Sequence, residues 1–97
     1  MYHLSKNLFF PPVSEANADG ILAIGGDLSP ERLQLAYSSG IFPWFEEDQS
    51  IIWWSPNPRM VLFLDDLVVS KSMRNILNRN IFKVTFNQNF RAVISYC

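Results

Sequence analysis

The chain has 97 residues, of which 48% are apolar, and its formal charge is −1; this composition fits a compact folded domain and excludes disordered and fibrous classes. Its single cysteine, Cys97, excludes an internal disulfide framework and favours a reducing compartment. The first residues hold an apolar run of only three before two prolines, too short for a signal peptide or a membrane span, so the sequence predicts a cytoplasmic protein with no membrane contact.

The charges are unevenly distributed along the chain. Residues 1–66 carry three basic and nine acidic side chains, whereas residues 67–97 carry five basic side chains and no acid. Such asymmetry indicates either a surface that faces a polyanion such as nucleic acid, or simply a solvated face, and composition alone leaves both interpretations open. The basic residues of the C-terminal third are Lys71, Arg74, Arg79, Lys83 and Arg91.

The first predicted elements are a short strand and a helix. Residues 1–20 show no sustained period, so we expect an extended lead-in with turns. The run ILAIGG at 21–26 predicts a short buried strand that ends in a tight turn. A helix follows, because Ser29 can cap its N-terminus, Pro30 suits its first position, and Gly40 suits the left-handed turn that ends it.

The paired glycines before this helix raise the question of a phosphate site. Helix N-termini with glycine-rich loops bind phosphate, but Asp27 lies between the glycines and the helix, and its carboxylate would repel a phosphate. We therefore expect Gly25 and Gly26 to serve backbone geometry, and Asp27 to close the turn or support the start of the helix.

The segment Gly40–Arg59 holds all three tryptophans, two phenylalanines and three prolines. Rings held in a proline-fixed loop suit binding of something flat, such as a nucleobase, although a small domain also buries its aromatic residues in its core. Side chains alternate across a strand, so Trp53 and Trp54 should point to opposite faces, with at most one on the core side. The acidic turn Glu46–Asp48 within the segment could attract a cation or could simply be solvated.

The remaining pattern first predicts two strands of a hairpin, at IIWW and MVLFL. A helix capped by Ser70 and a strand over 82–86 follow. A last helix begins near Asn87 or Asn89. The last helix is still in phase at Cys97, so the sequence predicts that the 97 residues are part of a longer protein. The single histidine, His3, lies near a terminus, and no catalytic residue is predicted within the chain.

The blocks GILAIGGDLSPERLQLAYSSGIFPWF and IIWWSPNPRMVL closely resemble the N-terminal region of the bacterial leucyl/phenylalanyl-tRNA-protein transferase family. The likeness continues through VSKSMRNILNR and FKVTFNQNFRAVISYC, and so covers the chain from about Gly20 to Cys97.

This resemblance implies a cytoplasmic aminoacyltransferase that moves leucine or phenylalanine from aminoacyl-tRNA to the N-terminal arginine or lysine of proteins destined for degradation. It implies an α+β fold, with a small N-terminal mixed domain at 1–64 followed at 65–97 by the opening strand and helices of an acetyltransferase-like (GNAT) domain. No metal or coenzyme is expected, because the aminoacyl ester is already activated. The family's carboxylate and amide groups linked to peptide-bond formation lie beyond these residues, so the fragment alone should be inactive.

The resemblance also assigns candidate site residues. Trp44, in the FPWF motif, corresponds to the family's tryptophan for the terminal adenosine of aminoacyl-tRNA, and Trp53 or Trp54 would shape the neighbouring wall. The family's basic cluster for the tRNA acceptor stem corresponds to Lys71, Arg74 and Arg79. The alternative hypothesis is a free-standing, non-catalytic module that binds nucleic acid or protein through the aromatic face and the basic helix.

Overall fold

Residues 2–97 are described by a computed structural model, in which the chain forms two compact units, one up to Met60 and one from Val61 to Cys97. The first unit is a small α+β domain, as the sequence predicts, built on a mixed four-stranded sheet. The predicted domain boundary after residue 64 stays a prediction. The strands are β1 (Tyr2–Leu4), β2 (Ile21–Gly25), β3 (Phe42–Pro43) and β4 (Ile52–Trp54).

The sheet has the strand order β1-β2-β4-β3. β1 pairs with β2 in parallel, whereas β2 with β4 and β3 with β4 are antiparallel. The pairing of β2 with β4 has a register shift between Ile21 and Ala23. Because of that irregularity, both Leu22 and Ala23 are buried although they are consecutive residues. The lead-in, predicted to be extended with turns, contains one strand, β1.

Helix α1 (Pro30–Ser38) begins and ends where the sequence predicts. The Ser29 hydroxyl accepts a hydrogen bond from the Arg32 N–H at 3.3 Å, and Gly40 has a φ of +76°. The helix contributes Ala36 to a core whose other fully buried members come from the sheet and from the chain that leads into β3. The buried core residues are Leu22, Ala23, Ala36, Ile41 and Trp53.

Arg32 is a charged residue inside this unit and is only 1% exposed. Its guanidinium donates to the carbonyl oxygens of Ser5 at 2.7 Å and Asn7 at 3.2 Å, and to the Asp27 carboxylate at 3.2 Å. The side chain thus joins the N-terminal segment to the turn between β2 and α1. Gly26 has a φ of +78°, which strains residues other than glycine, and a Cβ there would also lie only 3.1 Å from Arg32 Cζ.

Asp27 supports the start of the helix, as the sequence predicts. Its carboxylate accepts a hydrogen bond from the Ser29 N–H at 3.1 Å. The hydrogen bonds from Ser29, followed by the contact with Arg32, hold the pKa of the Asp27 carboxyl below its usual range. The Asp27 carboxylate thus occupies the N–H groups of Ser29 and Arg32 that a phosphate would need. The glycine turn serves backbone geometry, consistent with the positive φ of Gly25 and Gly26.

The second unit contains helix α2 (Lys71–Asn78) and helix α3 (Phe90–Ser95). The Ser70 hydroxyl accepts from the Met73 N–H at 3.2 Å, so Ser70 is the predicted N-cap of α2. None of residues 61–97 is buried, and many are large and apolar. This unit therefore has no hydrophobic core of its own.

Two predicted strands are wrong. Neither MVLFL at 60–64 nor residues 82–86 form a strand, and Phe82, Val84 and Phe86 are each at least 70% exposed. A strand exists only when a neighbour pairs with its N–H and C=O groups, and no strand of residues 2–97 pairs with these segments. Both segments thus lack the neighbouring strand whose pairing would make them strands.

Candidate aromatic cleft and basic helix

The tryptophans of β4 lie on opposite faces of the sheet, as strand alternation requires. Trp53 is fully buried, its indole N–H donates to the Gly25 carbonyl oxygen at 2.8 Å, and its ring meets Phe10 edge-on at a centroid distance of 4.9 Å. Trp54 is half-buried on the other face. Trp53 is therefore part of the core, where both ring faces are enclosed, and Trp54 is the one of the two that borders the candidate site.

An open cleft of about 500 Å³ lies beside Trp44 and Trp54. This volume is within the range of small-molecule sites, about 300–1,000 Å³. Apolar and aromatic side chains form most of its wall, and two polar side chains complete it. The lining residues are Ile21, Phe42, Trp44, Phe45, Glu46, Gln49, Ile52 and Trp54.

Trp44 presents an open ring to this cleft, because its side chain is 70% exposed. Its backbone is nevertheless fixed. The Trp44 N–H donates to the Ile52 carbonyl oxygen at 3.0 Å, and the Trp54 indole N–H donates to the Trp44 carbonyl oxygen at 2.8 Å. A wide ring on an anchored backbone can stack on a planar ligand with little loss of conformational freedom.

Arg59 fixes the two ends of the aromatic segment relative to each other. Its guanidinium donates to the Gly40 carbonyl oxygen at 2.9 Å and to the Ser55 hydroxyl at 3.2 Å, and lies 5.9 Å from the centroid of the Phe42 ring. These contacts tie the end of the aromatic segment to its beginning. Neither this role nor that of Arg32 is indicated by the sequence pattern, since both depend on carbonyl groups distant in sequence.

The sequence pattern misses several residues of the cleft wall. Phe42 and Phe45 flank Trp44 in the FPWF motif, which is the signal that could have identified them. Ile52 shares a face of β4 with Trp54 by strand alternation. Gln49 carries no such signal, because its place in the cleft depends on the turn between β3 and β4.

The predicted basic residues belong to the second unit, whereas the tryptophans belong to the first. Lys71 and Arg74 are exposed on α2, and Arg79 is the exposed residue that ends it. Met73 and Ile76 lie on the apolar side of this helix, and Ile76 is half-buried. Among residues 2–97 the one ion pair joins Arg32 to Asp27, so Lys71, Arg74 and Arg79 form no ion pair within the part of the chain that the structure describes.

The acidic turn Glu46–Asp48 is exposed. Within residues 2–97, no three His, Cys, Asp or Glu side chains lie close enough together to hold a metal ion. No helix described for residues 2–97 is both long enough and apolar enough to cross a membrane.

Comparisons with known proteins show what the chain is similar to. Residues 26–57 match the family described as the leucyl/phenylalanyl-tRNA protein transferase N-terminal domain. Proteins named leucyl/phenylalanyl-tRNA–protein transferase are similar over the whole chain, at 71% identity in Flavobacterium johnsoniae and 64% in Flavobacterium psychrophilum. One from Pseudomonas aeruginosa is 53% identical over 97% of the chain. These matches confirm the predicted resemblance, and the chain spans 46% of the length of each Flavobacterium relative.

Proposed function

We propose that this chain is the N-terminal part of a leucyl/phenylalanyl-tRNA-protein transferase, acting in the cytoplasm. Such an enzyme moves leucine or phenylalanine from aminoacyl-tRNA to the N-terminal arginine or lysine of proteins destined for degradation. The observation that carries the proposal is the 71% identity to a relative of that name over all 97 residues. The reaction needs no metal or coenzyme, because the aminoacyl ester is already activated.

In this proposal the aromatic cleft binds the terminal adenosine of aminoacyl-tRNA. Trp44 stacks on the adenine, and Trp54 forms the neighbouring wall. The proposal is supported by the exposure of the Trp44 ring, the anchoring of its backbone, and the size of the cleft. Stacking of a base on an aromatic side chain is worth about 1–3 kcal/mol, enough to hold the end of a strand without recognising its sequence.

In this proposal the phosphates of the tRNA acceptor stem are contacted by three basic side chains, those of Lys71, Arg74 and Arg79. Support comes from their exposure and from the absence of any acidic residue after Asp66. Contacts of this kind set affinity and salt dependence without specifying sequence.

Residues 65–97 are further proposed to open an acetyltransferase-like (GNAT) domain. The support is energetic, since exposed apolar residues such as Phe82 and Phe86 have no core within residues 61–97 to join. Segments with a strand-like pattern lack partners in this unit, and the chain spans under half the length of its relatives. Both features are expected of the beginning of a larger domain.

A chimera tests the proposed function. These 97 residues would replace the aligned 97 residues of the Flavobacterium johnsoniae relative. We expect the chimera to transfer leucine from leucyl-tRNA to a peptide that begins with arginine, at a rate within about tenfold of the relative's own, whereas the 97-residue chain alone transfers none. A folded chimera with no transfer activity would contradict the proposal and favour a non-catalytic binding module.

The basic helix is tested by salt dependence in the same chimera. Replacing Lys71 and Arg74 by alanine should reduce the slope of log K against log salt concentration by about 1 to 2, since each lost phosphate contact removes about 0.7–0.9. The matched control replaces Lys83 and Arg91, which removes the same charge from the same unit. Equal changes of slope in both variants would mean that net charge alone matters, and that α2 is not the contact surface.

A further inference from the structure

Besides the indole N–H groups of Trp44 and Trp54, the wall of the aromatic cleft has two polar side chains, those of Glu46 and Gln49. A nucleobase stacked in the cleft keeps hydrogen-bonding groups along its edge, and leaving them unpaired against apolar surface would weaken binding. An indole N–H only donates, so Glu46 and Gln49 are the side chains of the cleft wall that can offer both an acceptor and a donor to the edge of a bound base.

Hydrogen bonds within the turn fix how Gln49 presents its amide. The Glu46 N–H donates to Gln49 Oε1 at 3.0 Å, and the Gln49 N–H donates back to the Glu46 carbonyl oxygen at 3.0 Å. Only the oxygen of an amide can accept from an N–H, so Oε1 is occupied within the turn. Nε2 keeps two N–H donors with no partner among residues 2–97.

We infer, on the basis of the proposed function, that Gln49 and Glu46 make the cleft selective for adenine. Gln49 Nε2 donates to a ring nitrogen of the base, and the Glu46 carboxylate accepts from the exocyclic 6-amino group. Adenine presents this combination of an acceptor beside a donor, at N7 and N6 in one edge and at N1 and N6 in the other. A 6-oxo purine in the same stacked position would instead place an oxygen against the carboxylate.

Three nucleosides of nearly equal size test this inference on the 97-residue chain. Adenosine has the 6-amino group, purine riboside lacks it, and inosine has an oxygen in its place. The indole N–H signals of Trp44 and Trp54, followed by NMR during titration, report occupancy of the cleft. We expect adenosine to bind about threefold to tenfold tighter than purine riboside, the range of one hydrogen bond, and inosine to bind weakest.

Two variants assign the contacts to named atoms. Gln49→Glu keeps the oxygen that holds the Glu46 N–H and removes the donor, and combining it with Asp48→Asn keeps the charge of the turn unchanged. This double variant should bind adenosine and purine riboside about threefold to tenfold more weakly, by the same factor. Glu46→Ala should abolish the difference between adenosine and purine riboside. Glu47→Ala, which removes the same charge from a residue outside the cleft wall, should keep that difference.

The outcomes separate this inference from the function on which it rests. If the three nucleosides bind equally and binding requires Trp44, the cleft holds a base without selecting it, and the inference is overturned while the proposed function stands. If Glu47→Ala and Glu46→Ala have the same effect, general charge explains the selectivity and the inference is likewise overturned. Failure of all three nucleosides to shift either indole signal overturns both the inference and the role of the cleft.

Discussion

Replacing Trp53 by alanine is expected to remove most of the stability of the first unit at 25 °C. Removing a buried tryptophan costs about 3–5 kcal/mol, because the packing is lost and a cavity remains. The substitution also removes the hydrogen bond to the Gly25 carbonyl oxygen and the contact with Phe10. Small domains have total stabilities at the low end of about 5–15 kcal/mol, so one such loss consumes most of the margin. Urea denaturation of the 97-residue chain, followed by circular dichroism, measures the change.

The adjacent residue provides the matched control. Trp54→Ala removes the same side chain from the same strand but from the half-buried face, and should cost less than half as much. Trp53→Phe keeps a ring in the core and should recover part of the loss. Equal denaturation midpoints for the alanine variants of Trp53 and Trp54 would show that the two faces of β4 do not differ as described.

Replacing Trp44 by alanine is expected to lower kcat/KM for leucyl-tRNA about 5-fold to 150-fold in the chimera. This factor corresponds to the loss of about 1–3 kcal/mol of base stacking. Folding should be largely retained, because the ring is 70% exposed and the hydrogen bonds of this residue are made by its backbone. Steady-state kinetics and a thermal melt of the same preparation measure the two effects.

Controls separate stacking from general loss of aromatic surface. Tyr37→Ala removes a ring that is 65% exposed on α1 and outside the cleft, and should leave kcat/KM unchanged. Trp44→Phe keeps a smaller stacking face and should retain intermediate activity. A Trp44→Ala chimera that melts many degrees lower would mean that the ring is needed for packing, and an unchanged kcat/KM would remove it from the site.

Local signals in the sequence predict the best-defined elements of the first unit. The start of α1 depends on Ser29 and Pro30, and its end on the left-handed conformation at Gly40, which are preferences of single residues. The opposite orientation of Trp53 and Trp54 follows from the geometry of any strand. These features could be predicted because they need no knowledge of distant residues.

The errors concern strands, whose formation depends on partners. Residues 2–4 have too short a pattern to predict β1, and this strand exists because β2 pairs with it. Residues 82–86 have a clear alternating pattern, yet form no strand in the second unit. Propensity in a β-segment mainly reflects the surface against which it packs, so the same pattern succeeds or fails with its neighbours.

The sequence by itself determined the family resemblance, the boundaries of α1 and the position of the aromatic segment, because these depend on the order and local preferences of residues. Only the tertiary structure decided that Trp53 is buried while Trp54 borders a cleft, that Arg32 lies inside the first unit, and that Gln49 faces Glu46 across a turn. Each of these depends on which distant atoms exclude water from a side chain or pair with it. That information belongs to the packed sheet and not to any single stretch of the chain.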